Sequence, residues 1–261
     1  MTDPKPIALW AVPRSLSTAF ERVFVERDDL EVLHEPFSAA YYYGPDRLSD
    51  RYADEAPKPE SSYEEVLAEV FKPREKRLFL KDMPYQAKGV MSPEFVSRFT
   101  NTFIIRDPKY VLSSLYKMWP DFTVEEAGYE QIYWAFRYAE EAGEDPVVVD
   151  AMTFSENPVG MISAYCERVG IPFQPDALSW EPGEVEEWKS WEGWHEAAQQ
   201  STGIKRAERK DPTLPEKLQE AYEYCLPYYY KLTAHALPAR IRGRRVGTAS
   251  GSGGDTSVMD R

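Results

Sequence analysis

The sequence predicts an α/β protein with a mostly parallel central sheet, and three observations carry that expectation. Short apolar runs recur along the chain at residues 7–12, 31–34, 77–81, 100–106 and 147–151. Helical patterns separate several of them, as βαβ crossovers require. The chain also opens on a strand, a small polar loop and a helix in immediate succession. Residues 7–12 are apolar on both faces and bounded by Pro6 and Pro13, so they read as a fully buried strand. Thr18 and Glu21 have capping-box spacing, and Phe20, Val23 and Phe24 then recur on one helical face. Ser62 and Glu65 start a second helix in the same way. Asp107-Pro108 offers an N-cap and a first-turn proline ahead of Val111, Leu112, Leu115 and Met118. Thr123 and Glu126 are expected to cap a long helix that carries Ile132, Tyr133 and Phe136. Asn157-Pro158 opens another, with Ile162, Cys166 and Val169 on one side and Gly170 as its stop. Residues 214–237 return to helix, bent at Pro227. Residues 41–60, with Gly44, Pro45, Pro57 and Pro59, read as an irregular loop or lid.

A chain of 261 residues is long enough for one large α/β domain or two small ones. We expect a single domain over 1–242 and a disordered Gly/Ser-rich tail over 243–261. The formal net charge of −13 argues against a general nucleic-acid or anionic-membrane binder, which needs a basic face. Cys166 and Cys225 have neither metal spacing nor a disulfide framework. The three histidines, His34, His195 and His235, are too dispersed for a zinc motif. The absence of a hydrophobic leader and of an apolar run of 18 residues makes a soluble cytoplasmic protein the default expectation. Oligomeric state is not legible.

The opening strand–loop–helix gathers Arg14, Ser15, Ser17 and Thr18 at the start of a helix. Backbone N–H groups, hydroxyls and a cation then converge on one point, a geometry suited to an anion such as phosphate or sulfate. The alternative is a buried strand and capped helix serving structure alone. The loop is not a G-x-x-x-x-G-K-[ST] sequence, and no G-x-G-x-x-G occurs, which weakens kinase, NTPase and dehydrogenase readings. A second segment, FIIRDPKYVLSSLYKM, ends a buried strand at Arg106 and so places that guanidinium at the carboxyl edge of the sheet, where open parallel sheets bind ligands. Ser114 follows eight residues later, about two turns into the next helix. Arg106 and Ser114 can close on one phosphate if strand and helix fold back together. An Arg106–Asp107 pair and a backbone-bonded Ser114 are the structural alternative.

Together the two segments resemble the family of sulfotransferases that use 3′-phosphoadenosine 5′-phosphosulfate (PAPS). Pro13-Arg14-Ser15-Leu16-Ser17-Thr18 matches the family's P-[KR]-S-G-[ST]-T loop, which binds the 5′-phosphosulfate. Arg106 and Ser114 match its strand-end arginine and the serine eight residues on, which bind the 3′-phosphate. The resemblance covers roughly residues 7–175 and implies a P-loop-like three-layer α/β/α fold. Leu16 departs from the pattern: it stands where the family has glycine, so the backbone is expected not to use a glycine-only conformation there. The family's C-terminal R-K-G-x-x-G loop is missing in that form. Ser201, Thr202 and Gly203, with Lys205 and Arg206, resemble a replacement, or else form a polar surface loop.

The resemblance implies transfer of a sulfuryl group from PAPS to a hydroxyl of a small-molecule acceptor, by in-line attack and without a metal. Arg14 is the candidate for stabilising the transferring group, with Ser15, Leu16, Ser17 and Thr18 around the 5′-phosphate. Glu35 is the preferred general base, similar to a glutamate after the second strand of several bacterial sulfotransferases. His34 is the alternative base. Glu35 capping the next turn and His34 packing in the core is the competing structural reading. Lys81 and Asp82, at the end of the third strand, are candidates for acceptor binding or electrostatic support. Tyr41, Tyr42 and Tyr43 are candidates to line an acceptor pocket, although consecutive residues cannot all face one way. Asp150 reads as structural. Two other functions fit the same fold: a P-loop-like small-molecule kinase and a non-catalytic nucleotide-binding protein.

Overall fold

The computed structural model describes residues 4–58, 61–186, 188, 196–207 and 211–238. The tail expected over 243–261, together with His195, lies outside them. Five strands form one all-parallel sheet: β1 (Ile7–Ala11), β2 (Leu30–His34), β3 (Arg77–Asp82), β4 (Thr100–Ile105) and β5 (Val147–Asp150). Their spatial order is β2-β3-β1-β4-β5, so β1 lies in the middle with Leu9 opposite both Lys81 and Thr102. No residue of β1 is exposed, which is why it reads as apolar throughout.

Helices cover both faces. Ile7, Leu9 and Ala11 point toward α1 (Ser17–Val25) and, beyond the short α7 (Ala151–Glu156), α8 (Pro158–Val169). Ala8, Trp10, Phe103 and Ile105 point the other way, toward α3 (Tyr63–Val70), α4 (Pro93–Val96), α5 (Pro108–Met118), α6 (Tyr129–Glu141) and α10 (Gln219–Thr233). The expected three-layer arrangement results. The buried Trp10 indole donates to Asn101 Oδ1 at 2.9 Å, so this large core side chain leaves no polar atom unmet. Cys166 and Cys225 are both buried and free. Among the described residues no helix is long and apolar enough to cross a membrane.

Several starts and stops follow the expected chemistry. Ser62 and Glu65 make a reciprocal capping box, Asp107 accepts from Lys109 N, and Asn157 accepts from Gly160 N. Gly170 ends α8 at φ 71°, a left-handed position open to glycine at little cost. Two caps differ. The Thr18–Glu21 box does not form: the chain enters α1 through a left-handed Leu16, Thr18 falls inside the first turn, and Glu21 turns into the core. Thr123 and Glu126 do bond reciprocally, but they close a 3-10 turn at Glu125–Ala127. Left-handed Gly128 then redirects the chain, and α6 begins at Tyr129. Tyr41, Tyr42 and Tyr43 belong to α2 (Pro36–Tyr43), so irregular backbone starts only at Gly44. The last long helix starts at Gln219, after a 3-10 turn at Glu216–Leu218; the short α9 (Glu196–Gln199) precedes it.

Candidate active site

All five strands deliver their carboxyl ends to one edge of the sheet, and a cleft of about 290 Å³ opens there. Arg14, Leu16, Ser17, Thr18 and Ala19 form one wall, where β1 passes into α1. Arg14 and Leu16 both hold positive φ, 57° and 65°, with Ser15 between them. A turn with left-handed residues of this kind can aim successive N–H groups to one side, as in an anion-binding nest. The first turn of α1 adds N–H groups that no helix can bond internally, and no side chain caps it.

The two distant segments meet at this wall. Arg14 Nε donates to Ser114 Oγ at 3.0 Å, and Arg106 Nη1 donates to the Arg14 carbonyl at 3.0 Å. Burial, and secondly the neighbouring Arg106, hold the Arg14 guanidinium below its usual pKa; burial does the same to Arg106. Arg106 Nε is buried and has no hydrogen-bond partner among the described residues. Two like charges in a half-buried cleft, one with an unmet donor, favour an anion between them. Ser201, Gly203 and Lys205 approach from the C-terminal part of the chain and line the same cleft.

The family model for the sulfotransferase domain matches residues 5–236. The chain belongs to the sulfotransferase family. Two proteins of Arabidopsis thaliana, branched-chain-amino-acid aminotransferase-like proteins 2 and 1, are 32% and 30% identical over 88% and 90% of this chain. The chain spans only 41% and 43% of their lengths, so their names describe much larger proteins. Its fold is similar to that of the sulfotransferase domain of the Synechococcus PCC 7002 olefin synthase, with a TM-score of 0.52 and 18% identity. That match covers 91% of this chain and 98% of the other. The sulfotransferase domain of the curacin biosynthetic pathway matches with a TM-score of 0.52 and 14% identity, over 88% and 99% of the two chains. The parallel P-loop-like architecture is common to them.

Within this sulfotransferase fold the loop departs from expectation at Leu16. It does adopt the left-handed conformation, φ 65° and ψ 15°, that glycine would take without strain. A non-glycine residue there is strained by about 1–2 kcal/mol. Packing of the leucine side chain against the α1–α8 core offsets part of this. Ser15 also differs from expectation. It is fully buried, and its hydroxyl donates to the Val12 carbonyl at 2.7 Å, closing the turn from inside and not reaching the cleft. Thr202 likewise stays outside the cleft, its carbonyl accepting from Trp180 N, while the Ser201 hydroxyl donates to Ala198 O.

The acceptor-side candidates separate in the same way. Glu35 lies at the mouth of β2 in a left-handed conformation, φ 45°, and lines the cleft with Lys81; the two are ion-paired. His34 is turned away with its side chain fully buried, Nδ1 lying 2.7 Å from Glu21 Oε2, so it cannot meet an acceptor directly. Asp82 is also buried. Its oxygens accept from Phe37 N and Met83 N, each at 2.7 Å, and burial together with nearby Glu35 pushes its pKa well above the usual range. It shapes the β3 end and does not line the cleft. Tyr42 lines the cleft, whereas the Tyr41 hydroxyl donates to Glu125 and Tyr43 stacks on Tyr52. Asp150 caps α7 through Thr153 N.

Met83, Tyr85, Gln86 and Trp119 complete the cleft and were not singled out from sequence. The first three follow β3 in the run KDMPYQ, and any residue just past a parallel strand's carboxyl end is positioned for a site. Trp119 sits at the C-cap of α5 under the Arg51 guanidinium, 4.3 Å from its ring, and no local pattern marks it.

Proposed function

We propose that this sulfotransferase-family protein moves a sulfuryl group from PAPS to a hydroxyl of a small-molecule acceptor. The observation that carries the reading is the meeting of Arg14, Ser114 and Arg106 beside the uncapped start of α1. One cation-rich wall then serves two phosphate positions. PAPS supplies an activated sulfuryl group on its 5′-phosphate. The N–H groups and hydroxyls of Ser17 and Thr18 bind that phosphate, Arg14 neutralises charge on the transferring group, and Arg106 with Ser114 holds the 3′-phosphate. Ser201, Gly203 and Lys205 close the nucleotide side.

Glu35 is the general base. As the acceptor oxygen bonds to sulfur and the bond from sulfur to the 5′-phosphate oxygen breaks, the hydroxyl proton passes to Glu35. Lys81 fixes the carboxylate's direction through their ion pair. Tyr42, Met83, Tyr85 and Trp119 supply apolar walls, and the acidic surface disfavours polyanionic acceptors. Radiolabelled PAPS incubated with a panel of hydroxylated metabolites tests the reading. Label should move to an organic acceptor without added metal, and Glu35→Gln should abolish the transfer. Turnover of Mg-ATP with no use of PAPS would establish the small-molecule kinase instead. Nucleotide binding without transfer to any acceptor would establish a binding protein.

A further inference from the structure

Behind Glu35 the structure holds a second carboxylate that the proposed chemistry does not use. Glu21 sits in the middle of α1 with its side chain fully buried. A carboxylate placed there is expensive unless it is paired. Glu21 Oε2 accepts from the Trp188 indole at 3.0 Å and lies 2.7 Å from His34 Nδ1. Glu21 Oε1 is buried with no partner among the described residues. The His34 ring spans the gap to the cleft: its Nε2 lies 3.5 Å from Glu35 Oε1, and its side chain is fully buried too. Neither Glu21 nor His34 lines the cleft.

We propose that Glu21 and His34 form a buried acid–imidazole pair that takes over the proton Glu35 removes from the acceptor. Glu21 holds the proton on His34 Nδ1 and so leaves Nε2 bare toward Glu35, as a buried carboxylate sets the tautomer of a working histidine. The acceptor's O–H bond breaks and its proton joins Glu35. That proton then moves from Glu35 to His34 Nε2, which leaves an imidazolium between two carboxylates. After product leaves, the proton returns through Glu35, the member of the chain that borders the cleft, to water. Among the described residues, the charged and titratable groups facing His34 are Glu21 from α1, Glu35 at the start of α2, and Lys81 from β3, with Asp82 beyond it. The Trp188 ring lies 6.3 Å from the His34 ring, and the Arg22 guanidinium lies over the Trp188 ring at 5.7 Å. His34 and Glu21 are positioning residues in this scheme, and the scheme rests on Glu35 being the base.

The test is nitrogen NMR of the full chain carrying labelled histidine. His195→Gln and His235→Gln assign the His34 signals by elimination. The expected resting state has the His34 proton on Nδ1 and a bare Nε2, and Glu35→Gln should shift the Nε2 resonance. A proton on Nε2 in the resting enzyme, or an Nε2 signal indifferent to Glu35→Gln, overturns the relay. Radiolabelled transfer by the same Glu35→Gln protein separates the two ideas. Lost transfer with an unmoved Nε2 rejects the relay alone, and undiminished transfer rejects Glu35 as base together with the relay.

Discussion

Leu16 shows how a single side chain changes a loop without changing its path. Where the family's motif has glycine, this chain keeps the left-handed backbone and lets a leucine bear the strain. Leu16→Gly should retain nucleotide binding, because the N–H directions survive. Leu16→Val should lower stability by a further 1 kcal/mol or so, since a branched Cβ crowds that conformation more. Thermal melts of the two variants compare them directly. Arg106 is the other residue whose environment makes a forecast. Its Nε has no partner among the described residues, so Arg106→Ala should weaken binding of adenosine 3′,5′-bisphosphate about 10- to 100-fold while costing little stability. At this scale the sequence was most informative about groups whose chemistry is local. Arg14, Ser17, Thr18, Arg106 and Ser114 all reach the cleft wall. Ser15 did not, because the backbone twist at Arg14 and Leu16 that turns its hydroxyl inward leaves no trace in a hydroxyl-rich motif. His34 and Asp82 stay out of the cleft for separate reasons. Asp82 follows Lys81 on β3, where adjacent residues point to opposite sides, and His34, the last residue of β2, is drawn inward by the buried Glu21 carboxylate.

At the scale of elements, starts and stops were legible wherever the cap is made within four or five residues. Asn157 and Gly170 bracket α8 as the pattern suggested. Gly170→Ala should destabilise the fold by about 1 kcal/mol, because the added Cβ meets no neighbour and the whole effect is conformational. Denaturant titration reads that loss. The turn from α1 to β2 is held by Arg27, whose Nε and Nη2 donate to the two Asp29 oxygens at 2.8 and 2.7 Å, while Nη1 donates to the Pro172 carbonyl. These bonds to Arg27 depress the Asp29 pKa below 3.8. A depressed carboxylate stabilises the fold above its unfolded pKa, and the contribution disappears as pH falls through the lower, folded value. Asp29→Asn should therefore flatten the acid side of the stability–pH curve and leave its shape above neutrality unchanged. Where capping partners serve a tertiary purpose, local reading failed. Glu21 belongs to His34 and Trp188, and Glu126 accepts from Arg51, 75 residues earlier in the chain, as well as from Thr123.

At the scale of the molecule, parallel topology is what turns scattered residues into one site. Placing β1 between β3 and β4 brings the loop after β1 beside Arg106 and Lys81, whose strands are its neighbours. Alternating strand and helix signals were enough to anticipate that sheet. They carried no information about which residues of the connections would face inward, so Tyr85, Gln86 and Trp119 emerged only from the packed chain. The segment around Ser201 reaches the cleft from almost 100 residues beyond Arg106, and an acidic chain of net charge −13 concentrates Arg14, Arg106 and Lys205 there.

Calorimetric titration of adenosine 3′,5′-bisphosphate and adenosine 5′-monophosphate, each into the native chain and Arg106→Ala, is the most direct trial of that convergence. The bisphosphate should bind one per chain. Removing the 3′-phosphate or the Arg106 side chain should each weaken binding by about 10- to 100-fold, and removing both should add little more. Equal loss for both nucleotides in Arg106→Ala, or no saturable binding of the bisphosphate, would contradict a shared grip by the two segments.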